Sequence, residues 1–310
     1  MHKKNLPLVS VIMNCFNSES FLKEAIESVL NQSYTNWELI IWDNQSTDET
    51  ANISNSYDDN RIKYFLADKY TALGEARNLA IEKSKGEIIG FLDSDDIWLP
   101  KKLEKQVPIF QSGRVGIVIC DTLFFNEKGI NKQLYKKKKP PTGMVFKELL
   151  SDYFVSLETA MVRRQAFDDL NYWFDTRFEV IEEYDLFVRL GYYWELAYVD
   201  QLLSKWRVHN SSWTWSKSNL FPKETKLMLE SLKLYFPMDD YSEEMMSVEQ
   251  NIAFEEAQAF WKKGNRQDAR KILRPKIKGS FKYGLLFLIM FFPFGFYEYL
   301  QRLRGNVFPV

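Results

Sequence analysis

The chain has 310 residues, 45% hydrophobic, 27% charged and 16% aromatic, with a net charge of −1. Such a composition excludes an intrinsically disordered chain, and the length suits ~2 domains, one large core plus an appendage. Cys15 and Cys120 lie in apolar runs without paired spacing, which argues against a disulfide framework or a zinc site and makes a reducing cytosol the expected compartment. The charge is unevenly spread: residues 262–310 hold eleven Lys/Arg and two acids, a balance of +9, leaving −10 for residues 1–261. A basic tail on an acidic body points to an anionic partner surface, membrane or nucleic acid. Met1–Asn5 leads directly into Leu8–Met13, too short for the apolar region and cleavage site of a signal peptide, so secretion is not expected.

In chain order, residues 8–13 read as a buried strand, and Asn17-Ser18-Glu19-Ser20 as a turn that caps a helix over 21–31. Leu22, Ala25, Ile26, Val29 and Leu30 recur at helical spacing there, so one face packs on a sheet. Trp37–Trp42 is a second strand with Asp43 at its carboxyl end; a helical stretch to about Ser56, a short strand over 61–66 and a helix over 75–85 follow. Strands alternating with helices predict a mostly parallel Rossmann-like sheet flanked by helices.

The run Ile88, Ile89, Phe91, Leu92 reads as a strand covered on both faces, and it ends in Asp93-Ser94-Asp95-Asp96. Three carboxylates within four residues repel one another unless a cation or hydrogen-bond donors hold them. Hard oxygen ligands at the carboxyl end of an α/β strand suit Mn²⁺ or Mg²⁺, bound through one or two carboxylates plus substrate phosphates. An Asp/Ser cap for a helix from Ile97 to Gln106 is the alternative reading.

Four segments occur in a set order: Val9-Ser-Val-Ile12 with Phe16-Asn17; Asp43-Asn44-Gln45-Ser46-Thr47-Asp48; Gly74, Arg77 and Asn78; and Asp93-Ser-Asp95. Together they resemble the family-2 glycosyltransferases, nucleotide-sugar-dependent enzymes of the GT-A type. The resemblance implies donor binding by Phe16, Asn17, Glu19, Asp43, Arg77, Asp93 and Ser94. Asp43 would read the nucleobase and Arg77 would lie near the diphosphate. It also implies a metal at Asp95. Asn44-Gln45 stands where the family usually has Asp-Gly.

Further on, residues 115–120 and 122–126 read as two strands, and Lys136-Lys-Lys-Lys-Pro-Pro141 as an exposed basic loop, either solvated or touching phosphate. Arg163-Arg164 resembles the family's joint between donor and acceptor halves. At Glu182-Glu183-Tyr184-Asp185-Leu186 the family has Glu-Asp-Tyr-Asp-Leu with the second acid as catalytic base, so the resemblance implies Glu183 as the base. Taken alone, these acids read as first-turn residues favoured by a helix dipole. Arg207-Val208-His209 resembles the family's Arg-x-His, with His209 as a possible further metal ligand; a solvated loop histidine is the alternative.

Helical periodicity runs over 223–236, 242–263 and 268–273, and Ala257, Phe260, Trp261, Gly264, Ala269 and Leu273 resemble half a tetratricopeptide repeat. Tyr283–Tyr297 is apolar and interrupted by Pro293 and Gly295; at 15 residues it falls short of the ~20 that span a bilayer. Flanking Lys276, Lys278, Lys282, Arg302 and Arg304 favour a segment lying on an anionic membrane, packing into the protein's own core being the alternative. No nucleic-acid partner is expected.

These observations lead to a set of expectations. A catalytic domain over 1–220 would divide into a donor half to about 125 and an acceptor half over 126–220. A helical region over 221–310 would carry a membrane-attachment segment at 276–304. The activity expected is transfer of a sugar from a UDP-type donor, with inversion, to a hydroxyl of a growing, lipid-linked glycan. The location expected is the cytoplasmic face of the membrane. A non-catalytic nucleotide-sugar-binding protein and a nucleotidyltransferase are the rivals, the latter disfavoured because Phe16-Asn17-Ser18-Glu19 offers no cationic phosphate cradle.

Overall fold

The computed structural model describes residues 6–126, 128–129, 131–209, 217–277 and 280–303. Contacts divide the chain into two compact units, Met1–Leu149 with Tyr153–Val208, and Leu150–Asp152 with His209–Val310.

The first unit alternates β1 (Val9–Cys15), α1 (Leu22–Leu30), β2 (Trp37–Asp43), α2 (Thr50–Asn55), β3 (Ile62–Leu66), α3 (Leu73–Glu82) and β4 (Ile88–Phe91). It continues with β5 (Ile97–Trp98), α4 (Lys102–Gln106), β6 (Val115–Phe125), β7 (Asn131–Gln133), β8 (Met161–Arg163), α6 (Glu182–Tyr193) and β9 (Glu195–Arg207), while α5 (Phe146–Ser151) belongs to it only as far as Leu149. Among the described residues nine strands form one sheet in the order β3-β2-β1-β4-β8-β6-β9-β5, with β7 on β6. The half built from β3, β2, β1 and β4 is parallel, while β8 and β5 run antiparallel to their neighbours. Apolar runs make these strands because both faces are covered: Val9, Val11, Leu39, Ile41 and Ile89 are fully buried, and α1 lays Leu22, Ala25, Ile26 and Val29 on them.

Register decides where the strands stop. Cys15 pairs with Asp43, Asp43 with Leu66, and Ile12 with Phe91, so β1 to β4 all end at one edge of the sheet. The loops beginning at Phe16, Asn44 and Leu92 therefore lie side by side, Asn44 N–H donating to Cys15 O at 2.8 Å and Leu92 N–H to Ile12 O at 3.0 Å. At the opposite end a buried polar staple closes the sheet. Ser10 Oγ donates to Glu38 Oε1 at 2.6 Å, Gly86 N–H donates to Ser10 Oγ at 2.7 Å, and Lys63 pairs with Glu38.

One expected element is corrected, and one alternative reading is set aside. Residues 115–126 do not form two strands: β6 is continuous, and what reads as a break is a shift in its register against β9 at Cys120, Asp121 and Thr122. Asp121 sits there fully buried and binds the facing segment, accepting from Tyr135 N–H at 3.0 Å and Gln133 Nε2 at 2.6 Å. The alternative reading of the acidic turn as a cap for a helix from Ile97 does not hold, and the helix lies beyond Pro100. Ile97 and Trp98 pair with Lys205 and Ser204, and the helix starts only at Lys102. Trp98 supplies the reason: it is buried, its Nε1 donating to Glu158 O at 2.9 Å, and the extended backbone directs it inward.

The second unit contains α7 (Phe221–Tyr235), α8 (Ser242–Lys262), α9 (Arg266–Leu273), α10 (Phe281–Ile289) and α11 (Phe294–Leu303). Gly264, at φ +81°, makes the turn between α8 and α9 that a side chain would strain, and Asn265 caps α9 by accepting from Asp268 N–H at 3.2 Å. Ala257, Trp261, Ala269 and Leu273 are buried together with Tyr283, Leu286, Met290 and Tyr297. One face of the 283–297 segment thus packs within this unit. Pro293 separates α10 from α11, so the apolar run folds as two short helices. Among the described residues no helix is long and apolar enough to cross a membrane.

Gly86 tests the sheet's closure, because a Cβ there would stand 2.5 Å from Ser10 N and 2.8 Å from Leu8 O, both backbone atoms. Gly86→Ala should lower the denaturant midpoint by the equivalent of about 1–3 kcal/mol with an unchanged m-value; an unshifted midpoint would show that the backbone yields at no cost.

Candidate active site

Three loops from the aligned strand ends meet around a hydrogen-bonded frame. Asn17, at φ +49°, accepts at Oδ1 from Thr47 N–H at 2.9 Å, and its own N–H donates to Ser46 Oγ at 2.9 Å. Asparagine tolerates this left-handed backbone better than most residues. Ser18 N–H donates to Thr50 Oγ1 at 2.8 Å, and Ser18 Oγ meets Ser94 Oγ at 2.8 Å, linking the first loop to the acidic turn. Glu19 closes a reciprocal clamp: its N–H donates to Asp48 Oδ2 and its carboxylate accepts from Glu49 N–H, both at 3.0 Å. Phe16 projects outward and meets Tyr70 edge to face, ring centres 5.0 Å apart, both rings exposed.

Asp43 is fully buried. Its Oδ1 accepts from Ser46 N–H at 2.7 Å and its Oδ2 from the Tyr64 hydroxyl at 2.7 Å. The two residues after it explain their own departure from Asp-Gly. Asn44 binds Thr71 in both directions, Nδ2 donating to Thr71 O at 2.8 Å and Oδ1 accepting from Thr71 N–H at 3.1 Å; a carboxylate lacks the donor for the first bond. Gln45 stands at φ +70°, a position that favours glycine, and its amide donates to Ala67 O.

On the other side, Arg77 is buried between two carboxylates. It pairs with Glu182, on the first turn of α6, and its Nη2 lies 3.2 Å from Asp93 Oδ1. Burial works against this charge, but Asp93, Glu182 and Glu183 outweigh it and raise the Arg77 pKa. Asn78, one residue on, clasps Phe174, donating to its carbonyl at 2.9 Å and accepting from its N–H at 3.0 Å. Asp185 and Arg189 form a buried pair one helical turn apart, and Arg189 also donates to Tyr172 O at 2.6 Å, which fixes the segment leading into α6.

Glu183 follows Glu182, and burial pushes its carboxyl up to about 8; Arg77 lowers it only in part, while Glu182, Asp93 and Glu158 add to the rise. Such a carboxyl exchanges its proton near neutral pH, a requirement of general acid–base chemistry. In the acidic turn, loss of hydration raises Asp93 against the pull of Arg77, and burial raises Asp96 with help from Asp95, Glu158 and Asp93. Asp96 Oδ2 and Glu158 Oε1 are buried with no hydrogen-bond partner among the described residues. Asp96 Oδ1 accepts from Arg207 N–H at 2.8 Å, and Arg207 Nε donates to Asp95 O at 2.9 Å, so the end of β9 braces this turn.

The structure thus gathers Phe16, Asn17, Glu19, Asp43 and Ser94 in one frame and joins Asp93, Arg77 and Glu182 through ion pairs, with Glu183 beside them. His209 is half-buried and begins the second unit, and residues 210–216 after it lie outside the described set. Among the described residues no three His, Cys, Asp or Glu side chains converge as a metal-holding group. Arg163 and Arg164 are spent on the fold: Arg163 donates to Phe110 O at 2.6 Å and Arg164 to Ser84 Oγ at 2.6 Å. Sequence reasoning missed Tyr64, Tyr70 and Glu158. Glu158 alone left a signal, as a single acid in the apolar run Leu157–Val162.

The family profile for "Glycosyl transferase family 2" matches residues 10–170. The chain belongs to glycosyl transferase family 2. It is 31% identical over 167 residues to an Escherichia coli UDP-Glc:alpha-D-GlcNAc-diphosphoundecaprenol beta-1,3-glucosyltransferase, WfgD, the match covering 54% of this chain and 64% of that one. It is 32% identical over 161 residues to a putative teichuronic acid biosynthesis glycosyltransferase of Bacillus subtilis, TuaG, covering 51% and 63%. The match therefore spans less than two thirds of the length of these relatives. Among solved structures, S. aureus TarS residues 1–349 share the fold at a TM-score of 0.64 and 18% identity, over 86% of this chain and 80% of that one. The mannosyltransferase PcManGT from Pyrobaculum calidifontis, solved with GDP-Man and Mn²⁺, does so at 0.64 and 15% identity, over 96% and 85%. The GT-A-type α/β fold is shared with both.

The ion pairs and the raised carboxyl each yield an expected outcome. Arg77→Met removes the buried cation that serves both Glu182 and Asp93 and should cost about 3–5 kcal/mol of stability by chemical denaturation; a loss below about 1 kcal/mol would mean that other groups hold these carboxylates. Glu183 holds its proton more tightly folded than at its ordinary value of 4.5, so its contribution to stability falls as pH rises from about 4.5 through about 8. Glu183→Gln should therefore gain in Tm over the parent between pH 5 and pH 9. A difference independent of pH would remove the assignment.

Proposed function

We propose that the chain transfers a sugar from a nucleoside diphosphate donor, UDP-linked, to a hydroxyl of a growing lipid-linked glycan, with inversion at the anomeric carbon and Glu183 as base. The observation that carries this reading is the pairing of Arg77 with both Asp93 and Glu182, which ties the acidic turn to the helix start where Glu183 stands. The names of the relatives support the donor and acceptor classes. WfgD is described as using UDP-Glc and a diphosphoundecaprenol-linked acceptor, and TarS has been solved with UDP-GlcNAc.

In this reading the donor lies over the ends of β1, β2 and β4. The exposed rings of Phe16 and Tyr70 offer an apolar rim to the nucleobase, and Asp43 reads it. Each Asp43 oxygen already accepts one hydrogen bond and keeps a further lone pair, so base reading requires the Asn44–Ser46 loop to open a path to this buried carboxylate. Asn17, Glu19 and Ser94 hold the loops that surround the diphosphate. Arg77 contributes its charge there and orients Asp93. Glu183, once unprotonated, takes the proton of the acceptor hydroxyl as that oxygen attacks the anomeric carbon and the nucleoside diphosphate leaves from the opposite side.

The acidic turn fits a divalent cation. Burial raises both Asp93 and Asp96, with Asp95 adding to each, and Asp96 Oδ2 is buried with no hydrogen-bond partner among the described residues. Asp95 would hold Mn²⁺ or Mg²⁺, and the small number of protein ligands suits a site completed by donor phosphates. When bound, the ion offsets charge on the departing diphosphate.

The test is release of UDP from UDP-glucose and UDP-GlcNAc by the purified chain, with Mn²⁺ or with a chelator. Release should need the ion, and Asp95→Asn should abolish the metal-dependent part while the fold persists. With a transferring donor and acceptor pair, Glu183→Gln should keep donor affinity and lower kcat by about 10²–10⁴-fold, the usual share of a general base. kcat/KM should rise with pH toward about 8, because burial keeps Glu183 protonated below that value. Equal transfer by Glu183→Gln would move the base elsewhere, and donor binding without any transfer would leave a nucleotide-sugar-binding protein.

A further inference from the structure

We infer that the C-terminal unit docks on an anionic lipid bilayer surface through the outer face of the α10–α11 pair and the cations gathered at its turn. The pair has two faces. Tyr283, Leu286, Met290 and Tyr297 face inward against Trp261 and Ala257. Elsewhere on the pair Phe281, Leu285 and Leu288 of α10, Phe292 of the turn, and Phe296 and Tyr299 of α11 remain outside that core. These side chains are exposed, Phe281 at 88%, Leu288 at 60% and Phe292 at 52%, whereas the inward face is sealed. Six exposed apolar side chains on so short a segment, left in water, cost solubility unless something covers them.

The charges at the turn say what covers it. Arg270 stacks on Phe291 at 4.1 Å and donates to Met290 O at 3.2 Å; Arg266 donates to Phe291 O at 2.9 Å; Lys262 lies 5.4 Å over the Phe294 ring. Three cations from α8 and α9 thus surround a turn that presents Phe291 and Phe292. None of the three has a carboxylate partner among the described residues, although Lys271 and Asp268 pair nearby. Rings entering the acyl boundary with cations at headgroup level complement an anionic leaflet. Helices of nine and ten residues are too short to cross it, so the pair lies in the interface plane. The inference concerns the second unit alone and stands apart from the transfer reading.

The test is flotation of the full chain with vesicles of phosphatidylcholine alone or mixed with phosphatidylglycerol. Binding should require phosphatidylglycerol and weaken with salt. Phe281→Ser, Leu288→Ser and Phe292→Ser together should abolish it. Lys262→Gln with Arg266→Gln should weaken it about 30-fold, from roughly 5-fold per cation at the ~1 kcal/mol each contributes near such a surface. Circular dichroism checks the fold, and if the triple variant unfolds, the charge pair and the salt titration decide. Failure of the parent to float, equal binding to both vesicle types, or undiminished binding by folded variants overturns the inference. So does a parent dimer that ignores vesicles and becomes monomeric in the triple variant, since a second copy would then cover this face.

Discussion

A single buried guanidinium holds together parts of the first unit that sequence keeps far apart. Arg77 comes from a helix between two parallel strands, Asp93 from the end of β4, and Glu182 from the start of α6, 105 residues along the chain from Arg77. Burying Arg77 and Glu182 is costly in itself, and the arrangement persists because the two are paired. Its value lies in placement: a planar fork sets two carboxyls at once along fixed donor directions, whereas a lysine ammonium rotates freely. The crowding has an electrostatic consequence as well. Burial keeps the Glu183 proton on to higher pH, and because Glu182 and Asp93 share one cation, their charge adds to that rise.

Much of this was legible in the residues. The apolar runs at 8–13, 37–42 and 88–92 announce strands, the acidic cluster at 93–96 announces a place where a strand stops being core, and the order of the short motifs identifies the family. What could not be read is the pairing that crosses long stretches of chain. Nothing local in Ile62–Leu66 says that the Tyr64 hydroxyl reaches back to Asp43, because that bond exists only once β3 is laid against β2. Ile97 and Trp98 leave two readings open, because helical and extended starts look alike over two residues; pairing with β9 and the Glu158 carbonyl decides for the strand. The register shift in β6 looks like a strand break in the sequence for the same reason, a buried acid interrupting an apolar run.

The C-terminal unit shows the opposite limit. Composition gave its basic character and its apolar run, but composition cannot separate a stripe that packs inward from one that faces outward. Only the division between Tyr283, Leu286, Met290 and Tyr297 on one side and Phe281, Leu288 and Phe292 on the other separates them. Trp261 fastens the arrangement, its indole N–H donating to Phe292 O at 2.8 Å, so the turn between the two short helices is held at its backbone while its rings stay outward.

Gln45 bears on how such a loop can change over generations. A glutamine at φ +70° carries backbone strain on the order of 1–3 kcal/mol, partly offset by the amide it places on Ala67 O. Glycine at this position would release the strain, forfeit that hydrogen bond, and give the unfolded chain more freedom, worth roughly 0.4–1 kcal/mol. These contributions oppose one another at similar size, so the exchange between glycine and glutamine is close to neutral for stability. A lineage can therefore cross between the two residues without passing through a poorly folded intermediate, leaving the side chain that borders Asp43 open to selection on what the loop admits.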